Sequence, residues 1–201
     1  MNPKKICNYI FELGTLKKFA HSGIKLAGVK HPDTIAEHVY RTAIIGYMLA
    51  KMENSTVKAD AAKVDAAKIA LICLFHDNAE CRITDLHKVA RRYIDSKKGE
   101  MKAYKEQVAG LHEDIARELT GFFTEFENAK SKEGIIARDA DMLETAFQAK
   151  EYLELGYKAC QDWLNNVEKS IKTKSAKSLF SELKKTGFTD WWTELKSIVS
   201  Y

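Results

Sequence analysis

Hydrophobic positions recur along this chain at the three-to-four-residue spacing that is typical of helices. In the first segment, residues 3–20, five apolar side chains fall near that spacing: Ile6, Ile10, Leu13, Leu16 and Phe19. Residues 34–53 are apolar over much of their surface, and residues 59–82 are apolar in their second half, which predicts two central helices. Nothing alternates with a period of two over a useful length, so the pattern predicts an all-α protein.

Polar and glycine-containing stretches divide the rest of the chain. We expect a connecting loop at residues 21–32 and a bend at 83–86. Further helices are predicted over 87–98, over 100–120 up to Gly121, over 133–155 up to Gly156, and two or three over 157–201. The prediction is therefore one helical bundle of roughly eight helices spanning residues 1–201.

Composition supports the helical interpretation and excludes several functions. The 201 residues include two prolines and ten glycines, too few for the many turns of an all-β domain. The net charge of +4 is spread along the chain, which argues against a nucleic-acid polymer as partner. No signal peptide or apolar run long enough for a bilayer is present, and no cysteine pair has CxxC spacing. We therefore expect a cytoplasmic protein that binds no membrane.

One group of ionisable residues directly follows the apolar segment 69–75. His76 and Asp77 are adjacent there, and Glu80 shares their helix face because it lies four residues after His76. Burying such groups without a partner is costly. A divalent cation would supply the partner. For the dipeptide alone, the alternative is a hydrogen-bonded core histidine beside a capping aspartate.

Two other predicted helices carry the same kind of residue next to core positions. His38 lies at the start of the helix over 34–53, and Asp139 and Asp141 lie within the helix over 133–155. Imidazole nitrogens and carboxylate oxygens from three helices form a mixed ligand set. This set suits one divalent ion (Mn, Co, Mg, Ni, Zn or Fe), and the sequence does not distinguish among them.

In this order, the three motifs resemble the HD-domain metal-dependent phosphohydrolases, most closely their 5′-deoxynucleotidase branch. The similarity covers about residues 10–155 and is carried by IAEHVYR, LFHDNAEC and ADMLE, which begin at Ile35, Leu74 and Ala140. It implies a single HD domain with residues 156–201 packed on this core. It also implies metal-dependent hydrolysis of a small phosphomonoester, most closely a nucleoside or deoxynucleoside 5′-monophosphate. The resemblance and the aromatic-rich later helices together suggest a homodimer.

The resemblance also implies a role for each motif residue. It assigns four metal ligands: His38, His76, Asp77 and Asp141. Asp139 is a rival for the last place, although alignment through residues 140–143 favours Asp141. Glu80 matches a glutamate that assists proton transfer, and Asp85 matches an aspartate near the substrate sugar and the attacking water.

Positive charge is needed near a phosphate group, and three residues are candidates for substrate contacts. Arg41 lies one helical turn after His38, and Lys25 and Lys30 lie in the preceding loop. This loop departs from the family, because residues 23–28 lack the tryptophan and arginines that usually meet substrate. The base and sugar preference is therefore open.

The remaining aromatic and histidine residues are expected to be structural. Four histidines match no ligand position and are expected in loops or on helix surfaces: His21, His31, His87 and His112. The tryptophans are expected to pack in the core or at a subunit contact rather than to bind a base. Residues 157–201 carry no motif, and their expected anchors are Trp163, Phe180, Trp191 and Trp192.

Two other functions stay open. HD-type hydrolases also act on nucleoside triphosphates, cyclic phosphodiesters and alarmones. Alarmone hydrolases typically carry an HDxxED pattern, whereas this chain reads HDNAEC from His76 and lacks the final acid. A metal-stabilised binding module without turnover is the other alternative. Glu80 and Asp85 argue against it, because holding a metal would not need them.

Overall fold

The computed structural model describes residues 1–58 and 62–196, and in these ranges it contains α-helices and no β-strand, which confirms the predicted all-α class. Eight of the described helices have ten residues or more, as the sequence predicts. In chain order they are α1 (Pro3–Leu13), α2 (Ser22–Lys25), α3 (Ile35–Thr56), α4 (Ala66–Phe75), α5 (Glu80–Ile83), α6 (Lys88–Arg91), α7 (Ser96–Val108), α8 (Glu113–Asn128), α9 (Lys132–Glu154), α10 (Gln161–Ser170), α11 (Lys174–Leu183) and α12 (Asp190–Lys196).

Helices α3, α4 and α9 pack against one another at the centre of the molecule. Their contact surfaces are fully buried apolar residues, among them Leu49, Ile72 and Leu143. The close approach of α3 and α4 requires Gly46, because a Cβ atom there would lie 2.7 Å from the Cys73 sulfur. The two central motif helices are therefore held at short distance around an apolar core.

The ends of the two longest helices follow local signals that the sequence shows. At the start of α3, Thr34 Oγ1 accepts a hydrogen bond from Glu37 N while Glu37 Oε2 accepts one from Thr34 N, which is a capping box. Helix α9 ends two residues before Gly156, whose φ of +103° suits glycine. The prediction for 133–155 is confirmed to within one residue at each end.

The prediction of one helix over 59–82 is wrong. Residues 59–61 lie outside the described residues, 62–65 are not helical, and α4 begins only after Asp65, whose side chain accepts hydrogen bonds from two backbone amides of the first turn. At the other end the chain leaves α4 at Phe75 and makes a tight turn before α5. The His76-Asp77 pair therefore lies in a turn after the helix.

The predicted break at Gly121 is also wrong. Helix α8 runs through this glycine from Glu113 to Asn128, and the interruption lies earlier, at residues 109–112. Glycine inside a helix costs about 1 kcal/mol. Burial of Phe122, Phe123 and Phe126 on the same helix outweighs that cost. The predicted helix over 87–98 is replaced by short α6 and the start of α7.

The N-terminal part of the chain forms more separate elements than expected. Helix α1 ends at Leu13 and is followed by a 3₁₀ turn, Gly14–Lys17, and not by helix up to residue 20. The expected loop over 21–32 contains α2. Backbone hydrogen bonds from His21 N to Asp33 O and from Ile35 N to Phe19 O close the base of this loop directly before α3.

Helices α10 and α11 pack on α9. Their buried side chains join the same hydrophobic core: Leu164, Val167, Phe180 and Leu183. The expected anchoring role of Trp191 is wrong, since this side chain is 72% exposed. Residues 197–201 of the predicted C-terminal helices lie outside the described residues. Among the helices that the structure describes, none is long and apolar enough to cross a membrane.

Candidate metal centre

Two imidazoles and two carboxylates converge in the space between α3, α4 and α9. His38 Nε2 lies 3.2 Å from Asp141 Oδ1 and 3.5 Å from Asp77 Oδ2. His76 Nε2 lies 3.0 Å from Asp77 Oδ2 and 3.6 Å from Asp141 Oδ1. The structure thus brings together all four residues of the expected ligand set, here called the ligand cluster (His38, His76, Asp77 and Asp141).

Hydrogen bonds on the far side of each imidazole fix which nitrogen faces the cluster. His76 Nδ1 lies 2.6 Å from the Cys73 carbonyl oxygen, which can only accept, so Nδ1 carries the hydrogen. His38 Nδ1 lies 2.5 Å from Glu144 Oε2. In the neutral form of each imidazole, Nε2 therefore has a lone pair that faces the carboxylates, the arrangement that a metal ion requires.

Glu144 is a positioning residue for which the sequence assigns no role. It is almost fully buried, and its second oxygen, Oε1, accepts a hydrogen bond from Arg41 Nε at 2.9 Å. Burial tends to raise the pKa of Glu144, but His38 and Arg41 outweigh it and keep the pKa below its usual value. The charged carboxylate therefore orients His38 from behind.

The donor set fits a divalent cation. His38 Nε2 is buried and has no hydrogen bond of regular geometry. Burial tends to lower the pKa of both imidazoles, yet neighbouring carboxylates raise that of His38 well above its usual value and that of His76 to about 10. The site therefore favours positive charge strongly, and a cation bound by neutral imidazoles would supply it.

Asp139 lies on the other side of α9 from the ligand cluster. It is fully buried, and its carboxylate accepts hydrogen bonds from Lys172 N, Thr173 N and Thr173 Oγ1 at 2.7–3.1 Å. This carboxylate fastens the start of α11 to α9. The expectation that Asp139 rivals Asp141 as a ligand is not met.

A small cavity of about 100 Å³ opens beside the ligand cluster, and Glu80 and Asp85 both line it. Glu80 is 4% exposed. Burial raises the pKa of Glu80 well above its usual value, and the charges of Asp77 and Asp85 raise it further. This side chain therefore keeps a proton to higher pH than an ordinary glutamate, which suits a proton donor.

Asp85 is held by the backbone at the mouth of this cavity. Its Oδ2 accepts a hydrogen bond from Ser22 N at 2.6 Å, which ties it to α2. The preceding residue, Thr84, has φ +61° and ψ 169°, a conformation that side-chain-bearing residues rarely adopt. The turn after α5 thus accepts strain and presents Asp85 toward the cavity.

The expected substrate contacts of Arg41, Lys25 and Lys30 are not placed at this cavity. Arg41 is bound to Glu144 and to Glu151, whose Oε1 lies 2.6 Å from Arg41 Nη1. Lys25 and Lys30 are exposed, and neither lines the cavity. The guanidinium groups that line it belong to Arg91 and Arg138.

Comparisons with known proteins identify the family of this chain. The family model described as "HD domain" matches residues 13–184. The chain belongs to the HD domain family. It is 30% identical over 149 residues, 74% of either chain, to "5'-deoxynucleotidase HDDC2" of Dictyostelium discoideum. The human protein of that name is 26% identical over 183 residues, 90% of this chain and 85% of its own.

A solved structure shows the same HD-domain fold over nearly the whole chain. A conserved hypothetical protein of Pyrococcus furiosus superposes with a TM-score of 0.75 at 29% identity, covering 90% of this chain and 99% of its own. The family match also reaches residue 184, beyond the expected limit of the resemblance near residue 155. Helices α10 and α11 are therefore inside the HD-domain match.

Three residues of this HD domain's site were not predicted from the sequence: His21, Glu144 and Arg138. His21 lies over His38 with ring centroids 4.5 Å apart, and its Nδ1 is 3.2 Å from Gln148 Oε1. His21, His38 and Glu144 form a second group of potential ligand atoms. Arg138 precedes Asp141 by one helical turn on α9, and this spacing is the signal that could have found it.

Proposed function

We propose that this protein is a divalent-metal-dependent phosphohydrolase that converts a deoxynucleoside 5′-monophosphate into nucleoside and phosphate. One observation carries the proposal: the ligand cluster, four further carboxyl groups (Glu80, Asp85, Glu100 and Glu127) and two guanidinium groups line a single cavity. The relatives named 5′-deoxynucleotidases support the choice of substrate. The family and the donor set support a divalent ion, and its identity is left to experiment.

The residues of the ligand cluster would hold the ion. When bound, such an ion lowers the pKa of water and screens phosphate charge. Water would form a new bond to phosphorus while the bond from phosphorus to the 5′ oxygen breaks. Glu80 would give its proton to the departing 5′ oxygen, because an alkoxide is a poor leaving group without a proton, and the proton released by the water would return Glu80 to its acid form. The burial that raises the pKa of Glu80 supports this role.

Asp85 would orient the attacking water or a sugar hydroxyl. Its hydrogen bond to Ser22 N fixes one carboxylate oxygen, so the group is held in place before substrate enters. Arg91 and Arg138 would bind the phosphate oxygens in place of the expected residues Arg41, Lys25 and Lys30. Arg91 Nη2 lies 3.8 Å from Glu80 Oε1 and 3.5 Å from Glu100 Oε1. A bound phosphate would therefore contact a guanidinium group close to the proton donor.

The experiment is a hydrolysis assay on purified protein that measures released phosphate and, by chromatography, the nucleosides and nucleotides that are formed. The assay tests five kinds of substrate: deoxynucleoside 5′-monophosphates, ribonucleoside 5′-monophosphates, deoxynucleoside 3′-monophosphates, a nucleoside triphosphate and a cyclic phosphodiester. Each is incubated in the presence of Mn²⁺, Co²⁺, Mg²⁺, Ni²⁺, Zn²⁺ or Fe²⁺, and in the presence of a chelator. We expect release from the deoxynucleoside 5′-monophosphates that the chelator abolishes. The variant Asp77→Asn should lose turnover, and Asp114→Asn, on the exposed start of α8, should keep it.

The other results of this assay have distinct meanings. If the triphosphate or the cyclic phosphodiester is hydrolysed faster, that class of compound becomes the substrate and the proposed monophosphate is wrong. Metal binding with no release from any compound would favour a metal-stabilised binding module and contradict the enzyme.

A further inference from the structure

A groove of about 480 Å³ adjoins the cavity of the metal centre. Four residues line both spaces: His21, Asp85, Arg91 and Asp141. Its volume is in the range of small-molecule sites, whereas the cavity of about 100 Å³ has room for little more than a phosphate and water. A phosphate ester bound at the ligand cluster would therefore extend its organic part into the groove.

One wall of this groove belongs to α10, which carries no sequence motif. Trp163, Asn166 and Ser170 line it at the three- and four-residue spacing of a single helix face. Met142 and Thr145, just after Asp141 on α9, also line it. The groove thus pairs an indole with polar side chains, directly beside the metal centre.

Trp163 is half-buried and rests on the loop before α3. A Cβ atom at Gly23 would lie 3.7 Å from Trp163 Nε1, so the indole is in contact with this part of the loop. Residues 23–28 contain no aromatic side chain. Among the described residues lining the groove, Trp163 is the one phenylalanine, tyrosine or tryptophan.

We propose that Trp163 binds the nucleobase of the substrate and that Asn166 contributes polar contacts to the base edge. This inference rests on the proposed function. An indole offers a flat apolar face on which any base can stack, and stacking of this kind tolerates all bases. Asn166 has a donor and an acceptor three residues further along the same helix face. Residues of α10 therefore supply the base contact that the loop lacks.

The test compares two kinds of substrate that share a deoxyribose 5-phosphate group, one with a base and one without. Trp163→Ala should raise KM for deoxynucleoside 5′-monophosphates roughly tenfold or more, since stacking on an aromatic side chain is lost. The same variant should hydrolyse 2-deoxyribose 5-phosphate, which has no base, at the wild-type rate. Trp163→Phe should recover most of the affinity. Trp191→Ala, which removes an exposed indole outside the groove, serves as the control.

A second measurement needs no turnover. Isothermal titration of the four deoxynucleosides, which carry no phosphate, should show binding to wild type and to Trp191→Ala that Trp163→Ala loses. If neither phosphate ester is hydrolysed but this difference is present, the proposed function fails and the base site stands. Three results would each overturn the inference: an equal loss of kcat/KM on both phosphate esters, an unchanged KM in Trp163→Ala, or deoxynucleoside binding that does not depend on Trp163.

Discussion

Each imidazole of the metal centre has one nitrogen already engaged by the protein. The Cys73 carbonyl engages His76 Nδ1, and the Glu144 carboxylate engages His38 Nδ1. These outer partners decide which lone pair is offered to a metal, and in metal sites such partners commonly matter nearly as much as the ligands. Single changes at this outer layer are therefore informative about the site.

Replacing Glu144 with Gln should weaken metal binding without removing any ligand. Loss of the negative charge lowers the basicity of His38 and leaves Arg41 with fewer partners, so we expect metal affinity to fall about 10–100-fold. Glu151→Gln is the matched control, because Glu151 also binds Arg41 but does not reach His38. Metal titration of both variants measures the two affinities. Equal metal affinity of Glu144→Gln and Glu151→Gln would show that Glu144 has no influence on the site.

Replacing Glu80 with Gln should separate catalysis from metal binding. The amide cannot donate a carboxylic proton, so we expect kcat to fall about 10²–10⁴-fold while metal stoichiometry is unchanged. Steady-state kinetics and metal analysis on the same preparation check both parts. Full turnover with metal bound would assign proton transfer to another group.

At the scale of elements, α9 serves two sides of the molecule. One face carries Arg138, Asp141 and Glu144 toward the cavity and its outer layer. The opposite side carries Asp139, which fastens α11 through three donor groups. Two aspartates separated by one residue thus have different tasks, because neighbouring positions on a helix point in different directions.

Asp139→Ala should destabilise the fold by about 2–4 kcal/mol, because it leaves buried donors of the α11 start without an acceptor. Asp139→Asn should cost less, since its amide oxygen still accepts. Chemical unfolding measures both. Unchanged stability combined with loss of the metal would place Asp139 among the ligands and contradict the assignment.

Two glycines in helices should respond to alanine in opposite directions. Gly46→Ala places a Cβ against the Cys73 sulfur and should destabilise by about 1–3 kcal/mol, the usual cost of overpacking. Gly121→Ala has no neighbour within 4 Å and should stabilise α8 by about 0.5–1 kcal/mol. Comparison of the two unfolding free energies checks the close contact of α3 with α4.

At the scale of the whole molecule, the sequence predicts best what depends on local signals. Helical periodicity and the caps around Thr34 and Gly156 allow α3 and α9 to be predicted closely. The break at residues 109–112 was missed because Gly110 and Gly121 give the same local signal, and only burial of the phenylalanines of α8 distinguishes them. Local helix propensity contains no information about such tertiary packing.

In the candidate site, too, local motifs are predictable from the sequence and tertiary contacts are not. Motif order points to His38, His76, Asp77 and Asp141, whereas the tertiary contacts that engage Arg41 with carboxylates leave no mark in the local sequence. The groove wall on α10 was missed for the same reason. A single domain over residues 1–201, a homodimer and a cytoplasmic location stay predictions.

Metal stoichiometry tests the central claim most directly. Equilibrium dialysis of the folded chain against Mn²⁺ or Co²⁺ should give one tightly bound ion per chain. Asp141→Ala should abolish that binding, while Asp114→Ala on the surface should retain it. Less than a tenth of an ion per wild-type chain, or one ion still held by Asp141→Ala with wild-type affinity, would contradict a metal centre formed by these four residues.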